Sequence, residues 1–328
     1  MIEDFAQKVS DDSARKVFYL ISEYVDEIAT SLSQTNPILN VQNIELLMAG
    51  DLLTGTFISV SEPEFYLSVR SAQIEINSVG PMENKFRIMW NRFKSAWATR
   101  NKNTRRYQKK EKKKALKKSS EITEKQLLEK KEKPYSLLNF KDDFFEGLVQ
   151  NMTNMTVLYN TPSKIRILGR DEFGFRININ PVIKHDDYYK VWNPNSNKFI
   201  EIYLDKAKKL LEEKAVEISK LNSVDFNDED LLYKIIRIFK NLYYNLCQSY
   251  NYQFVESLIY ACPSSLFKTK EEENYVYNVF LKVLNYLNNV SLAEIRSIYN
   301  QEVNLYKQHN ISVFQIKTFL KDIKNYLD

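Results

Sequence analysis

Ala49-Gly50-Asp51-Leu52-Leu53-Thr54-Gly55-Thr56-Phe57-Ile58-Ser59-Val60-Ser61-Glu62-Pro63-Glu64-Phe65-Tyr66-Leu67-Ser68-Val69 is the stretch on which the reading of this chain turns. The chain has six glycines, and two of them stand here, five residues apart. An apolar run, Ile44 to Ala49, leads in, and apolar/polar alternation leads out. Between them sit Glu62 and Glu64 at i, i+2, a spacing that on a strand points both carboxylates to one face. Glycine lets a backbone approach a phosphate closely, and paired carboxylates hold divalent metal. The stretch is therefore a candidate phosphate and metal site. A hairpin carrying two solvated glutamates is the plainer reading of the same residues.

Working outward, 328 residues with 44% apolar content are enough for two domains or one large one with a sizeable core. Cys247 and Cys262 are the only cysteines and no secretory leader is visible, so a reducing cytoplasm and two unpaired thiols are expected, with a disulfide between them as the other reading. His185 and His309 are the only histidines. Two His and two Cys scattered over the chain argue against a zinc site, and neither histidine stands near a nucleophile elbow. No apolar run reaches the ~18 residues of a membrane-spanning helix.

Net charge is +5, but it is unevenly spread. Residues 85–118 hold fifteen Lys or Arg against one acidic residue, Glu111, a formal +14, which leaves −9 for the rest of the +5 chain. The densest part carries Arg105, Arg106, Lys109, Lys110, Lys112, Lys113 and Lys114. Like charges in a block cannot bury their surface, so 101–133 reads as a protruding or disordered basic insertion. It is a candidate contact for RNA, DNA or an acidic membrane, with a solvated insertion as the alternative. Each duplex phosphate neutralised would steepen the salt dependence by about 0.9 log units.

Periodicity predicts a helix over 10–34 and strands over 43–49 and 64–76, with a break near Ser71. An amphipathic helix is expected over 83–100, a more balanced helical stretch over 121–133, and a further helix over 140–155. A two-stranded unit follows, 164–168 and 175–180, and Pro181 is expected to end its second strand. That strand alternates Phe175, Ile177 and Ile179 with Arg176, Asn178 and Asn180, so the asparagines line a polar cleft or face solvent. From 200 onward the chain reads as helical, over 200–219, 227–250, 252–261, 271–288, 291–308 and 312–327. Ser291 to Glu294 makes a capping-box pattern for the fifth of these.

Taken in order, these segments resemble the nucleotidyltransferase superfamily of the oligoadenylate synthetase and poly(A) polymerase type. Gly50-Asp51 stands where that family has Gly-Ser, Gly55-Thr56 matches its Gly-Thr pair, and Ser61-Glu62-Pro63-Glu64 sits where Ser-Asp-x-Asp is expected. Asn178, on a strand followed by Pro181, falls at the third carboxylate, and 231–267 is similar to the helical core. The resemblance implies an α+β fold, a small mixed sheet flanked by helices, followed by a helical C-terminal domain. Residues 1–100 and 134–199 would form the first domain, 101–133 the basic insertion and 200–328 the second.

The resemblance also implies two Mg²⁺ ions and in-line attack on the α-phosphorus of an NTP. Glu62 and Glu64 would be the metal ligands, with Asn178 at the third catalytic position. Gly50, Asp51, Gly55, Thr56, Arg237 and Lys240 would contact the nucleotide. Asp51 puts an anion where a serine is expected, Glu62 and Glu64 are each one methylene longer than Asp, Pro63 interrupts the pair, and Asn178 supplies no carboxylate. Two readings follow. In one the scaffold has lost or weakened catalysis and binds nucleic acid, nucleotide or protein. In the other it is a divergent enzyme transferring NMP to a nucleic-acid or nucleotide hydroxyl.

Overall fold

In a computed structural model of the chain, the described residues are 3–7, 12–35, 39, 41–58, 62–70, 136–152, 156–161, 163–169, 176–193, 198–222, 230–247, 253–269 and 273–327. The break near Ser71, the helices at 83–100 and 121–133 and the lysine-rich tract lie outside them. In chain order the elements are α1 (Asp12–Thr35), β1 (Ile44–Ala49), α2 (Gly50–Thr54), β2 (Glu64–Arg70), α3 (Leu137–Asn151), β3 (Thr156–Asn160), β4 (Ile165–Gly169), β5 (Arg176–Lys184), β6 (Tyr189–Asn193), β7 (Lys198–Ile202), α4 (Leu204–Leu221), α5 (Leu231–Cys247), α6 (Phe254–Tyr260), α7 (Tyr275–Asn289), β8 (Arg296–Ser297), β9 (Asn300–Asn304), α8 (Leu305–His309) and α9 (Val313–Leu327).

The sheet is mixed, as expected. β1 pairs antiparallel with β2, β2 runs parallel to β5, and β5, β4 and β3 continue antiparallel. β6 pairs with the last residues of β5, and β7 with β6. Period-2 alternation gives the sheet two different faces. Phe65, Leu67 and Val69 of β2, with Ile177, Ile179 and Ile183 of β5, point to one side. There they pack against Ile21, Val25 and Ile28 of α1 and Phe140, Phe144 and Leu148 of α3. The two helices meet closely: a Cβ on Gly147 would lie 2.7 Å from Cγ2 of Ile28. Tyr66 and Val182 point to the other side and join the core of the helical half, which includes Ile235 and Phe239 of α5, Phe254 of α6, Phe280 of α7 and Phe319 of α9.

The structure departs from the sequence reading in four places. β5 does not stop at Pro181 but runs on to Lys184. Asn178 donates its N–H to Pro63 O on the β2 side, so the odd-numbered residues of β5 face the opposite edge. On that edge β4 covers 176–179 and β6 covers 182–184, so the N–H that Pro181 lacks falls in the gap between them. Residues 200–202 close strand β7, and the helix begins only at Leu204. Strands β3 and β6 went unread in the sequence. Finally, 291–308 is not one helix: a short 3-10 turn at Leu292–Glu294, for which the Ser291 side chain makes no cap, leads into the β8–β9 hairpin and α8. The hairpin buries Ile298 and Tyr299 at its tip, and the Ile298 N–H donates to Ser257 Oγ of α6 at 3.1 Å. Burying two such side chains is worth about 1.5–3 kcal/mol each, more than the ~0.7 kcal/mol per residue that helix propensity spans.

Both cysteines are free, Cys247 exposed and Cys262 buried. No helix among the described residues is long and apolar enough to cross a membrane.

Candidate functional site

The polar residues of the central strands gather on the face turned toward α5 and α6. In the sheet register Glu64 stands beside Asn178, and Asn178 beside Arg166, so β2, β5 and β4 present one row of side chains. Glu62 precedes β2 and folds back onto that row. Its carboxylate accepts from Nη2 of Arg166 at 3.0 Å (Oε1) and 2.8 Å (Oε2), and from Nδ2 of Asn178 at 2.9 Å. Burial works against the Glu62 carboxylate, but Asn178 and Arg166 outweigh it and hold its pKa below the usual range. Pro63 causes no break: it lies just before β2, and the β1 pairing also begins at Glu64.

Glu64 is differently placed. It is half-buried, and its Oε2 accepts from Nε2 of Gln253, just before α6, at 2.8 Å. Burial pushes its pKa up, and Lys164, Gln253 and Asn180 pull it back only in part. Asn178 is buried and its Oδ1 has no hydrogen-bond partner. Gly50 touches this row directly. Its φ is +55°, in the left-handed region, and a Cβ there would lie 3.2 Å from Glu64 Oε2 and 3.4 Å from Gln253 Nε2.

The turn between Gly50 and Gly55 is one turn of helix, α2, closed by Gly55 in the left-handed conformation. Beneath it lies a buried network. Nζ of Lys240, fully buried on α5, donates to Asp51 Oδ1, Thr56 Oγ1 and Glu256 Oε1, each at 2.6 Å, which uses all three of its protons. Glu256 of α6, also fully buried, accepts from Thr54 Oγ1 at 2.8 Å, from Thr56 Oγ1 and from the Tyr299 hydroxyl. Burial opposes the Lys240 ammonium, yet Asp51 and Glu256 hold its pKa above that of an ordinary lysine. Burial opposes the Glu256 carboxylate as well, and Lys240, Thr56 and Tyr299 hold its pKa down. Arg237, one turn earlier on α5, donates to Ala6 O at 2.8 Å, Gly55 O at 3.4 Å and Asp230 Oδ2 at 2.5 Å.

The structure thus brings Glu62, Glu64, Asn178 and Gly50 together on one face. It turns Asp51, Thr56, Arg237 and Lys240 inward beneath the glycine turn, and it leaves Gly55 with no atom near the place of a Cβ. Arg105, Arg106, Lys109, Lys110, Lys112, Lys113 and Lys114 lie outside the described residues. Sequence reasoning missed Lys164 and Arg166, although their alternation with Ile165 and Ile167 places them on the polar face. It also missed Gln253, Glu256 and Tyr299, which no local pattern marks.

A centre for two divalent cations needs dense negative charge. Here Glu62 and Glu64 are opposed by two cations, Arg166 bonding to Glu62 and Lys164 acting electrostatically on both, while Asp51, the other carboxylate that acts on Glu64, is paired with Lys240. The third position is a neutral amide whose nitrogen faces Glu62. Among the described residues no group of three or more His, Cys, Asp or Glu is arranged to hold a metal. The residues present do not fit a two-cation centre.

No protein-family model matches the chain, and comparison with curated proteins finds no match. Solved structures do match. The CdnE c-UMP-AMP synthase of Rhodothermus marinus, solved with Apcpp and Upnpp, superposes with a TM-score of 0.60 at 13% identity, covering 99% of this chain and 94% of that one. CdnC of E. coli MS115-1 with ATP gives 0.56 at 10% identity, covering 98% and 87%. The STING-associated CdnE c-di-GMP synthase of Capnocytophaga granulosa gives 0.52 at 12%, covering 98% and 85%. The chain shares the fold of these structures, a mixed sheet flanked by helices with a helical C-terminal region.

Proposed function

We propose that this chain is a nucleotidyltransferase-fold protein that has lost or weakened nucleotidyl transfer and works by binding a nucleotide in the cleft faced by Gly50, Glu64, Asn180 and Gln253. The observation that carries this reading is the Arg166–Glu62–Asn178 arrangement: a cation and an amide occupy the carboxylate on which transfer would depend. A fold does not by itself imply an activity; the chemistry of these groups decides. Nucleotide is the ligand class favoured because two of the similar structures were solved with ATP or with Apcpp and Upnpp.

In this reading Gly50 borders the ligand, while Asp51, Thr56, Arg237 and Lys240 are positioning residues that fix the turn from below. Glu64, with its raised pKa, offers a carboxyl that donates a hydrogen bond when protonated and accepts when ionised. The basic segment 85–118 is proposed as a separate contact for RNA or other polyanions, on its +14 charge alone.

The test is incubation of the full-length protein with α-labelled ATP, GTP or UTP and Mg²⁺ or Mn²⁺, alongside equilibrium dialysis with the same nucleotides. Binding without polymer, cyclic or adduct products is expected. Products that disappear in Glu62→Gln or Glu64→Gln would establish the divergent enzyme instead.

A further inference from the structure

We infer that Arg166 stands in for a divalent cation at Glu62, so that the cleft is closed to Mg²⁺ and Mn²⁺ and removing this one side chain creates a metal site. The inference deepens the reading above and rests on it for the location of the cleft, but not for whether nucleotide is transferred.

Strand register places the groups. Arg166 and Asn178 are directly opposed on antiparallel β4 and β5, and Asn178 is the neighbour of Glu64 on parallel β2. The backbone itself therefore delivers a guanidinium to the place where Glu62 folds back. The Arg166 contact spans both carboxylate oxygens, and Asn178 adds a third donor on Oε2. A divalent ion approaching Glu62 must displace Arg166, turn the Asn178 amide and face the positive charge of Lys164.

The same groups would make a ligand set once Arg166 is gone. Glu62 and Glu64 share a face, and the Oδ1 of Asn178 is a buried acceptor with no hydrogen-bond partner. Two carboxylates and an amide oxygen are hard oxygen donors of the kind Mg²⁺ and Mn²⁺ take, with water completing the shell. The Arg166 side chain is 39% exposed against 11% for Glu62, so truncating it opens toward solvent and leaves no buried hole. The fold is expected to tolerate the change, since Asn178 still donates to the Glu62 carboxylate and solvent can reach the place Arg166 leaves.

The experiment is Mn²⁺ binding to the full chain, read from the loss of the free-ion electron paramagnetic resonance signal, for wild type, Glu62→Gln, Arg166→Ala, Arg166→Gln and Arg166→Ala/Glu62→Gln. Circular dichroism melts verify that each variant is folded. The expected result is weak, Glu62-independent binding by wild type, an affinity gain of about tenfold or more in the two Arg166 single variants, and loss of that gain in the double variant. Wild-type binding that weakens when Glu62 alone is changed to Gln overturns the inference. So does an Arg166→Ala protein that binds no more tightly than wild type. Wild type that binds Mn²⁺ through Glu62 yet makes no nucleotide product sinks this inference and leaves the non-catalytic reading standing. A wild type that makes product sinks the latter.

Discussion

Replacing Lys240 by Met is the sharpest stability test of the site's foundation. Met nearly matches the Lys stem in length and removes only the ammonium. Its loss leaves Asp51 and Glu256 without the cation that now bonds to both at 2.6 Å, and Glu256 has no exposed surface through which water could compensate. Removing one partner of a buried ion pair costs about 3–5 kcal/mol, because the other charge stays buried and uncompensated. With two carboxylates stranded, the upper half of that range is expected. This is a large share of the roughly 5–15 kcal/mol that holds a domain folded. Urea unfolding followed by circular dichroism and Trp fluorescence measures it. The double variant Lys240→Met/Glu256→Gln is expected to recover about half of the loss. Its neutral amide keeps an oxygen that accepts from the two threonines, turns its NH2 toward the Tyr299 hydroxyl, and carries no unpaired charge. A Lys240→Met cost below about 1 kcal/mol, or no recovery in the double variant, would refute the claim that this ammonium is a buried electrostatic keystone.

Three further outcomes are expected. Gly50→Ala puts a Cβ 3.2 Å from Glu64 Oε2 at a φ of +55°, so it should cost about 1–2 kcal/mol and weaken nucleotide binding in dialysis; a variant equal to wild type in both would remove Gly50 from the site. His309 is held down to about 4 by burial, with Glu256 and Lys240 acting on it in opposite senses. The unfolded imidazole takes its proton near pH 6.5 while the folded one does not, so stability should fall as pH drops below 6.5, by roughly 2–3 kcal/mol at pH 4.5. His309→Gln should flatten that part of the profile in urea melts, and an unchanged slope rules the histidine out as its source. Reversing Lys109, Lys110, Lys112, Lys113 and Lys114 to Glu should weaken single-stranded RNA binding in filter assays and reduce its salt slope by several units, at about 0.7 per phosphate contact; an unchanged slope marks the tract as solvated surface.

What could be read from the sequence were features that repeat locally. Alternation in 65–69 and 175–179 gave the strands and their buried faces, and the i, i+2 spacing put Glu62 and Glu64 on one side. Long helices such as α1 and α5 announce themselves by periodicity. Features that depend on register were hidden. Arg166 meets Glu62 only because β4 pairs with β5 as it does, and nothing within Lys164 to Leu168 says which strand will lie beside it. Lys240 misled for a related reason. Arg237 and Lys240 lie three apart on an otherwise apolar helix and read as a polar flank available to ligand. They are inside because Asp51, Asp230 and Glu256, distant in sequence, receive them. Tertiary contacts likewise overrode the helical pattern at 291–308, where the tip of the β8–β9 hairpin is anchored to α6.

The network beneath the glycine turn also sets an order of events during synthesis. Asp51 is bonded to a lysine 189 residues later, and Thr54 to a glutamate 202 residues later, which is held in turn by a tyrosine 43 residues beyond that. The residues of the turn leave the ribosome well ahead of the side chains that fix it, which follow 189 and 202 residues later. Until then Asp51, Thr54 and Thr56 have no interior to enter, and the nascent N-terminal half cannot hold the cleft in its final form. Such long-range closure is slow compared with local helix formation. Ligand competence should therefore appear late and all at once, after Tyr299 has emerged, rather than building up as the sheet forms.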